Sequence, residues 1–167
     1  MTAQYLTLVT KHGKTIIELF ADKAPNHVAR IKELSTEEFY NGLNFHRVIN
    51  GFMAQTGCPQ GNGVGGSDKP NLKAEFNDID HIKGVVSMAR AQDINSANSQ
   101  FFIMLAHAPH LNREYTAFGQ VIFGIEYIDM IKKGSSIDNG TVKAPDSIEL
   151  LYVSTVDGQP LTAYDIG

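Results

Sequence analysis

Apolar residues along the chain fall mostly into short alternating or β-branched runs, and the period lengthens to that of a helix in only two places. Residues 5–9 and 14–20 are β-rich and are parted by Lys11-His12-Gly13, which predicts a hairpin. From Pro25 to about residue 39, Val28, Ile31 and Leu34, continued by Glu38, recur three or four residues apart, while Arg30, Lys32 and Glu33 face the other way. That spacing predicts an amphipathic helix, and Pro25 suits its first turn because the N–H it lacks would be unpaired there. Further strands are predicted at 45–49, 53–56, 85–89, 100–105, 117–123 and 147–155. A second, shorter helix fits 125–133, with Ile125, Ile128 and Ile131 on one face and Gly134 as its stop. Residues 157–167 read as a mobile polar tail. Many short strands with two helices fit an antiparallel barrel or a sandwich with covered ends, and periodicity leaves both open.

Neither a repeat nor a linker divides the chain, so a single domain is expected over 1–167, with its core at about 5–155. Composition changes the picture little: 43% hydrophobic and 19% charged residues are an ordinary globular balance. A net charge of -4 offers no attraction to phosphate backbones, which argues against a nucleic-acid partner. No apolar run approaches the roughly 20 residues that span a bilayer, and Met1-Thr2-Ala3-Gln4-Tyr5 does not open a signal peptide. Cys58 stands alone and has no disulfide partner within the chain. These features lead to the expectation of a cytoplasmic protein with no membrane partner.

The common catalytic patterns fail on context. Gly61-Asn62-Gly63-Val64-Gly65-Gly66 satisfies G-x-G-x-x-G, but Cys58-Pro59-Gln60 precedes it where a strand is needed. Pro70 opposes the helix that should follow, so a glycine-hinged surface loop is the better reading. His107 and His110 are three apart, yet Pro109 disfavours the helical turn that would aim both at one metal ion. Ser87 and Ser99 lie in no nucleophile elbow and read as hydroxyls bonded to nearby backbone. The carboxylates are scattered along faces expected to be solvated.

Two longer blocks carry a stronger signal. The first is Asn44-Phe45-His46-Arg47-Val48-Ile49-Asn50-Gly51-Phe52-Met53-Ala54-Gln55-Thr56-Gly57. Strict alternation points Phe45, Arg47 and Ile49 one way and His46 and Val48 the other, so a guanidinium shares a face with apolar residues. The second is Gly84-Val85-Val86-Ser87-Met88-Ala89-Arg90-Ala91, which leads through a loop into Asn98-Ser99-Gln100-Phe101-Phe102-Ile103. In this order the two blocks resemble the signatures of the cyclophilin family of peptidyl-prolyl cis-trans isomerases. The likeness runs from about Tyr5 to Thr155 and includes Tyr115-Thr116-Ala117-Phe118-Gly119-Gln120-Val121.

The resemblance implies a mainly β fold, a closed eight-stranded antiparallel β-barrel capped by two α-helices. It also implies catalysed rotation about X–Pro bonds of polypeptides in the service of protein folding, without cofactor or metal; a monomer is the simplest expectation. By the same resemblance Arg47 is the catalytic arginine and Gln55 the amide that supports it. Phe52, Met53, Phe102 and Leu111 wall a proline pocket, and Ala89 and Gln100 lie along the substrate groove. Arg90 offers its backbone to the substrate where many members have Asn. Tyr115 replaces a pocket histidine of many eukaryotic members, a form familiar in bacterial-type cyclophilins, and His110 replaces a tryptophan. The implied partners are proline-containing peptides and unfolded or flexible protein segments. Cyclosporin is expected to bind weakly, because an imidazole offers less apolar area than an indole.

Overall fold

The computed structural model describes residues 3–161. Eight strands form one antiparallel sheet: β1 (Gln4–Thr10), β2 (Gly13–Leu19), β3 (Arg47–Ile49), β4 (Met53–Thr56), β5 (Val85–Met88), β6 (Phe101–Met104), β7 (Ala117–Phe123) and β8 (Leu150–Ser154). Two α-helices, α1 (Pro25–Thr36) and α2 (Ile125–Asp129), and a 3-10 turn at Pro109–Leu111 complete the fold. The sheet order is β3-β4-β6-β5-β7-β2-β1-β8.

The expected closure of the barrel by strand pairing is not present: β3 and β8 are the two ends of the ladder. Isolated bridges, Asn44 with Ser147 and Arg47 with Thr141, span the seam instead. Around them, Phe45 N–H donates to the Asp146 carbonyl at 2.8 Å and Val48 N–H to that of Gly140 at 2.9 Å. The reason is local. Asn139, Gly140 and Ala144 all have positive φ, and Pro145 has no N–H to give, so 139–148 cannot run as a regular strand.

The strands in the middle are buried on both faces, which divides the apolar residues into two clusters. Val86, Met88, Phe101 and Ile103 point into the main core with Leu6, Ile17, Phe118 and the α1 residues Val28, Ile31 and Leu34. Val85, Phe102, Met104 and Met53 point the other way and pack with Ala108, Leu111 and Ala117. Alternation along β5 and β6 makes this division. It fails before β3: Phe45 joins the main core together with Val48, three residues on, because residues 45–46 lie outside the ladder.

Several local expectations are corrected by contacts from distant segments. Arg30 does not face solvent; it is buried and donates to the carbonyls of Asn98 (3.1 Å) and Pro70 (2.6 Å). Helix α1 stops at Thr36, before Glu38, whose positive φ of 61° turns the chain. Its first turn is capped from afar, since Glu75 accepts the N–H groups of Asn26 and His27. Helix α2 stops at Asp129 and does not reach residue 133, because the Lys132 N–H goes to Asp146 and the Gly134 N–H to Val48. Glu75 and Asp146 are thus inside the structure, not on solvated faces. Of the expected tail, residues 162–167 lie outside the described residues. Residues 157–161 turn back on β8, with Leu161 N–H donating to Val153 and its side chain against the core.

Asp146 ties three segments together. It accepts from His12 (3.0 Å), the Lys132 N–H (2.9 Å) and Lys11 (3.1 Å). Burial alone would raise its pKa, but these donors outweigh it and hold the carboxyl at about 2. A depressed folded-state value stabilises the fold above the unfolded pKa of 3.8, and that stability is lost as pH falls from there towards 2. Asp146→Asn is therefore expected to lose about 2 kcal/mol at pH 7. Urea unfolding of both proteins at pH 7 and pH 3 checks this: the gap between them must narrow at the lower pH.

Candidate active site

Cross-strand register places the site before any side chain is considered. Arg47 on β3 pairs with Gln55 on β4, and Gln55 pairs with Phe102 on β6. Directly opposed residues project to the same face, so cation, amide and ring stand in one row. The next row is Ile49, Met53 and Met104. Both rows lie on the face of the second apolar cluster, to which Phe52, Ala89 and Tyr115 are also packed.

These side chains enclose a cavity of about 150 Å³ lined by Arg47, Phe52, Met53, Gln55, Ala89, Arg90, Phe102, Leu111 and Tyr115. Two residues assigned to the site by sequence fall outside it. Gln100 lines a neighbouring cavity of about 510 Å³, whose wall includes Gly63, Gly65, Ala91 and Asn98. His110 lines neither cavity but stacks on Phe52, with ring centroids 6.0 Å apart and planes at 26°.

Arg47 is held by neutral groups. Its Nε donates to the Asn139 carbonyl at 2.9 Å, one terminal nitrogen to Asn139 Oδ1 at 3.1 Å and the other to Gln55 Oε1 at 3.2 Å. These three bonds leave one N–H on each terminal nitrogen. Burial lowers the guanidinium's pKa from its ordinary value while the Tyr115 hydroxyl opposes the shift. Because Gln55 gives its oxygen to Arg47, its amide nitrogen points onward and donates to Gln100 Oε1 at 2.9 Å. Gln100 in turn donates to the carbonyls of Gly63 (2.9 Å) and Gly65 (2.8 Å). The glycine loop is thereby tied to Arg47 through two amides.

Residues that sequence reasoning did not assign complete the site. Asn139 is the chief example: it holds Arg47 from a loop 92 residues away in the chain. Its signal is the Asn-Gly pair Asn139-Gly140, which marks a turn but says nothing of what the turn faces. Gly140 is required there, since its φ is +80° and a Cβ would lie 2.5 Å from the Ile49 side chain. His81 is the second. It is fully buried, stacks 6.2 Å from Phe102 and bonds Ser87 Oγ at 2.8 Å, so Ser87 meets an imidazole and not the backbone. Asn112 Oδ1 accepts from the His81 N–H, so it also accepts from Nδ1, and Nε2 is the bare nitrogen that receives the Ser87 hydroxyl. Burial lowers the His81 pKa, against the pull of Asn112. Ser99 does bond backbone, donating to the Gly57 carbonyl at 2.7 Å.

Among the described residues no three His, Cys, Asp or Glu side chains cluster to hold a metal ion. No helix among them is long and apolar enough to cross a membrane.

Comparison with known proteins gives this geometry a family. The model of the cyclophilin type peptidyl-prolyl cis-trans isomerase family matches residues 5–153. A probable peptidyl-prolyl cis-trans isomerase of Brucella suis is 51% identical, over 84% of this chain and 78% of the relative. Peptidyl-prolyl cis-trans isomerase B of Bacillus subtilis is 41% identical, over 76% of this chain and 89% of the relative. A crystal structure of a Cryptosporidium parvum cyclophilin, obtained in the presence of the dipeptide Ala-Pro, superposes with a TM-score of 0.83. It is 28% identical and covers 91% of this chain and 99% of that one. The chain belongs to the cyclophilin-type peptidyl-prolyl cis-trans isomerase family.

Proposed function

We propose that the small cavity binds a proline ring and that Arg47 catalyses rotation of the peptide bond preceding it. The observation that carries this is a guanidinium oriented by neutral acceptors, with N–H groups to spare, on the wall of a cavity that Phe52, Met53, Phe102 and Leu111 also line. The barrier to peptide rotation is roughly 18–20 kcal/mol because the C–N bond has partial double-bond character. Phe52, Met53, Phe102 and Leu111 grip the ring while the preceding carbonyl turns. In the twisted amide the nitrogen regains its lone pair and accepts a hydrogen bond that the planar form accepts poorly. Arg47 supplies that bond, so it binds the transition state better than the ground state. No proton is transferred and no bond is broken. Gln55 and Asn139 are positioning residues that fix the fork.

The chain acts in this way as a single-domain monomer in the cytoplasm, on flexible proline-containing segments of proteins during folding. The backbone of Arg90 pairs with the bound chain, Ala89 and Gln100 border its path, and Tyr115 closes the cavity beside Phe102, 5.7 Å away edge-to-face. His110, packed on Phe52 and outside both cavities, gives cyclosporin little to bind.

Exchange NMR on a short Ala-Pro peptide tests the activity directly; equal rates with and without protein would remove it. Arg47→Ala is expected to lower kcat/KM by about a hundredfold, as for loss of one transition-state donor, and a variant with full activity would refute the mechanism. Asn139→Gly preserves the positive φ and the carbonyl acceptor but removes the amide. It should lower kcat about fivefold with KM within about twofold, and cost nothing further when Arg47 is already Ala. Cyclosporin should inhibit only above low nanomolar concentration in the same assay.

A further inference from the structure

The two cavities share Gln55, Ala89 and Arg90 as a common wall. A peptide with its proline in the smaller cavity reaches the larger one by passing Arg90. The Arg90 guanidinium carbon lies 4.5 Å over the centroid of the Tyr115 ring. Its nitrogens donate to main-chain carbonyls only: Glu114 at 2.7 and 3.2 Å and Ala91 at 2.9 Å among them. The cation is therefore fixed in place by a ring and carbonyl oxygens, none of which cancels its charge.

No ion pair among the described residues includes Arg47 or Arg90. The linings of the two cavities together contain these two arginines and no Asp, Glu or Lys. Glu114 contributes its carbonyl and is not a lining residue. Asp93, on the loop beside Ala91 and Ser96, turns its carboxylate to the Asn95 N–H and lines neither cavity. A chain with a net charge of -4 thus presents a binding groove of opposite sign. Partial desolvation in a groove strengthens a charge pair relative to one in open water.

We propose that the groove selects proline segments bearing an Asp or Glu within a few residues of the proline, and that the Arg90 side chain is the selecting element. This rests on the isomerase reading above and deepens it with a substrate class. The carboxylate meets the guanidinium at the wall between the cavities while the proline occupies the smaller one.

The test is a set of peptides with Glu, Gln or Lys placed in turn at each of the three positions before Ala-Pro and at the two after it, assayed by exchange NMR at low salt. For at least one position kcat/KM should favour Glu over Lys by about fivefold or more, with Gln between them. The preference should shrink in 0.5 M salt, fall to about twofold in Arg90→Gln and persist in Arg90→Lys. Equal rates for Glu and Lys at every position, or a preference that Arg90→Gln leaves intact, overturn the proposal while the isomerase activity stands. If no peptide is isomerised, the isomerase reading fails instead. Fluorescence titration of the same peptides, now carrying a terminal fluorophore, then decides the charge preference: tighter Glu binding supports it, and equal Kd values overturn it.

Discussion

An arginine on a sheet face beside apolar side chains normally needs a carboxylate, because the cost of partial desolvation is otherwise unmet. Arg47 is satisfied differently, by the carbonyl and amide oxygens of Asn139 and by Gln55. Those partners supply direction without neutralising the charge. The difference matters for the chemistry, since a salt-bridged guanidinium would spend its electrostatic attraction on the protein. Much of the remaining architecture serves this arrangement. Strand β3, only three residues long, is pinned along its outer side by the irregular segment that carries Asn139. A regular eighth pairing there would give β3 a strand partner but would not offer a side-chain amide and its own carbonyl to one guanidinium.

Rigidity behind the site comes from strands with no solvent face. All residues of β5 and β6 are buried, so Phe102 stands on a sheet whose opposite side is the main core. Behind Phe102, the stacked His81 is locked by Asn112 and Ser87 in its neutral form. The apolar wall is therefore backed by a satisfied polar group and not by a void, which keeps the ring in one orientation.

The larger cavity is built from loops and is held by different means. Arg30, reaching from α1, binds the carbonyls of Pro70 and Asn98, and Asn98 Oδ1 receives both the N–H and the hydroxyl of Ser67. The amide relay from Arg47 through Gln55 and Gln100 to Gly63 and Gly65 joins the two cavities physically. The same relay explains why the glycine pattern at 61–66 is not a nucleotide loop. Two of its carbonyls are turned towards Gln100, and no helix follows whose N-terminus would receive a phosphate.

Local pattern was enough for the β1–β2 hairpin, the position of α1 and most strand positions, because period 2 and period 3.6 are properties of a few consecutive residues. The family resemblance carried by the two blocks and by residues 115–121 grouped Arg47, Phe52, Met53, Gln55, Ala89, Arg90, Phe102, Leu111 and Tyr115, and these nine line one cavity. What the chain order conceals is register and whatever lies across it. Burial of Arg30, capping of α1 by Glu75, the early end of α2 and the hold of Asn139 on Arg47 all join segments far apart in sequence. Placing Phe45 with Val48 and leaving the barrel unclosed at its seam likewise depend on where ladder hydrogen bonds stop. A residue's type and its neighbours say which face it favours; only the packed chain supplies the carbonyl, amide or ring that meets it there, since such partners are chosen by three-dimensional proximity.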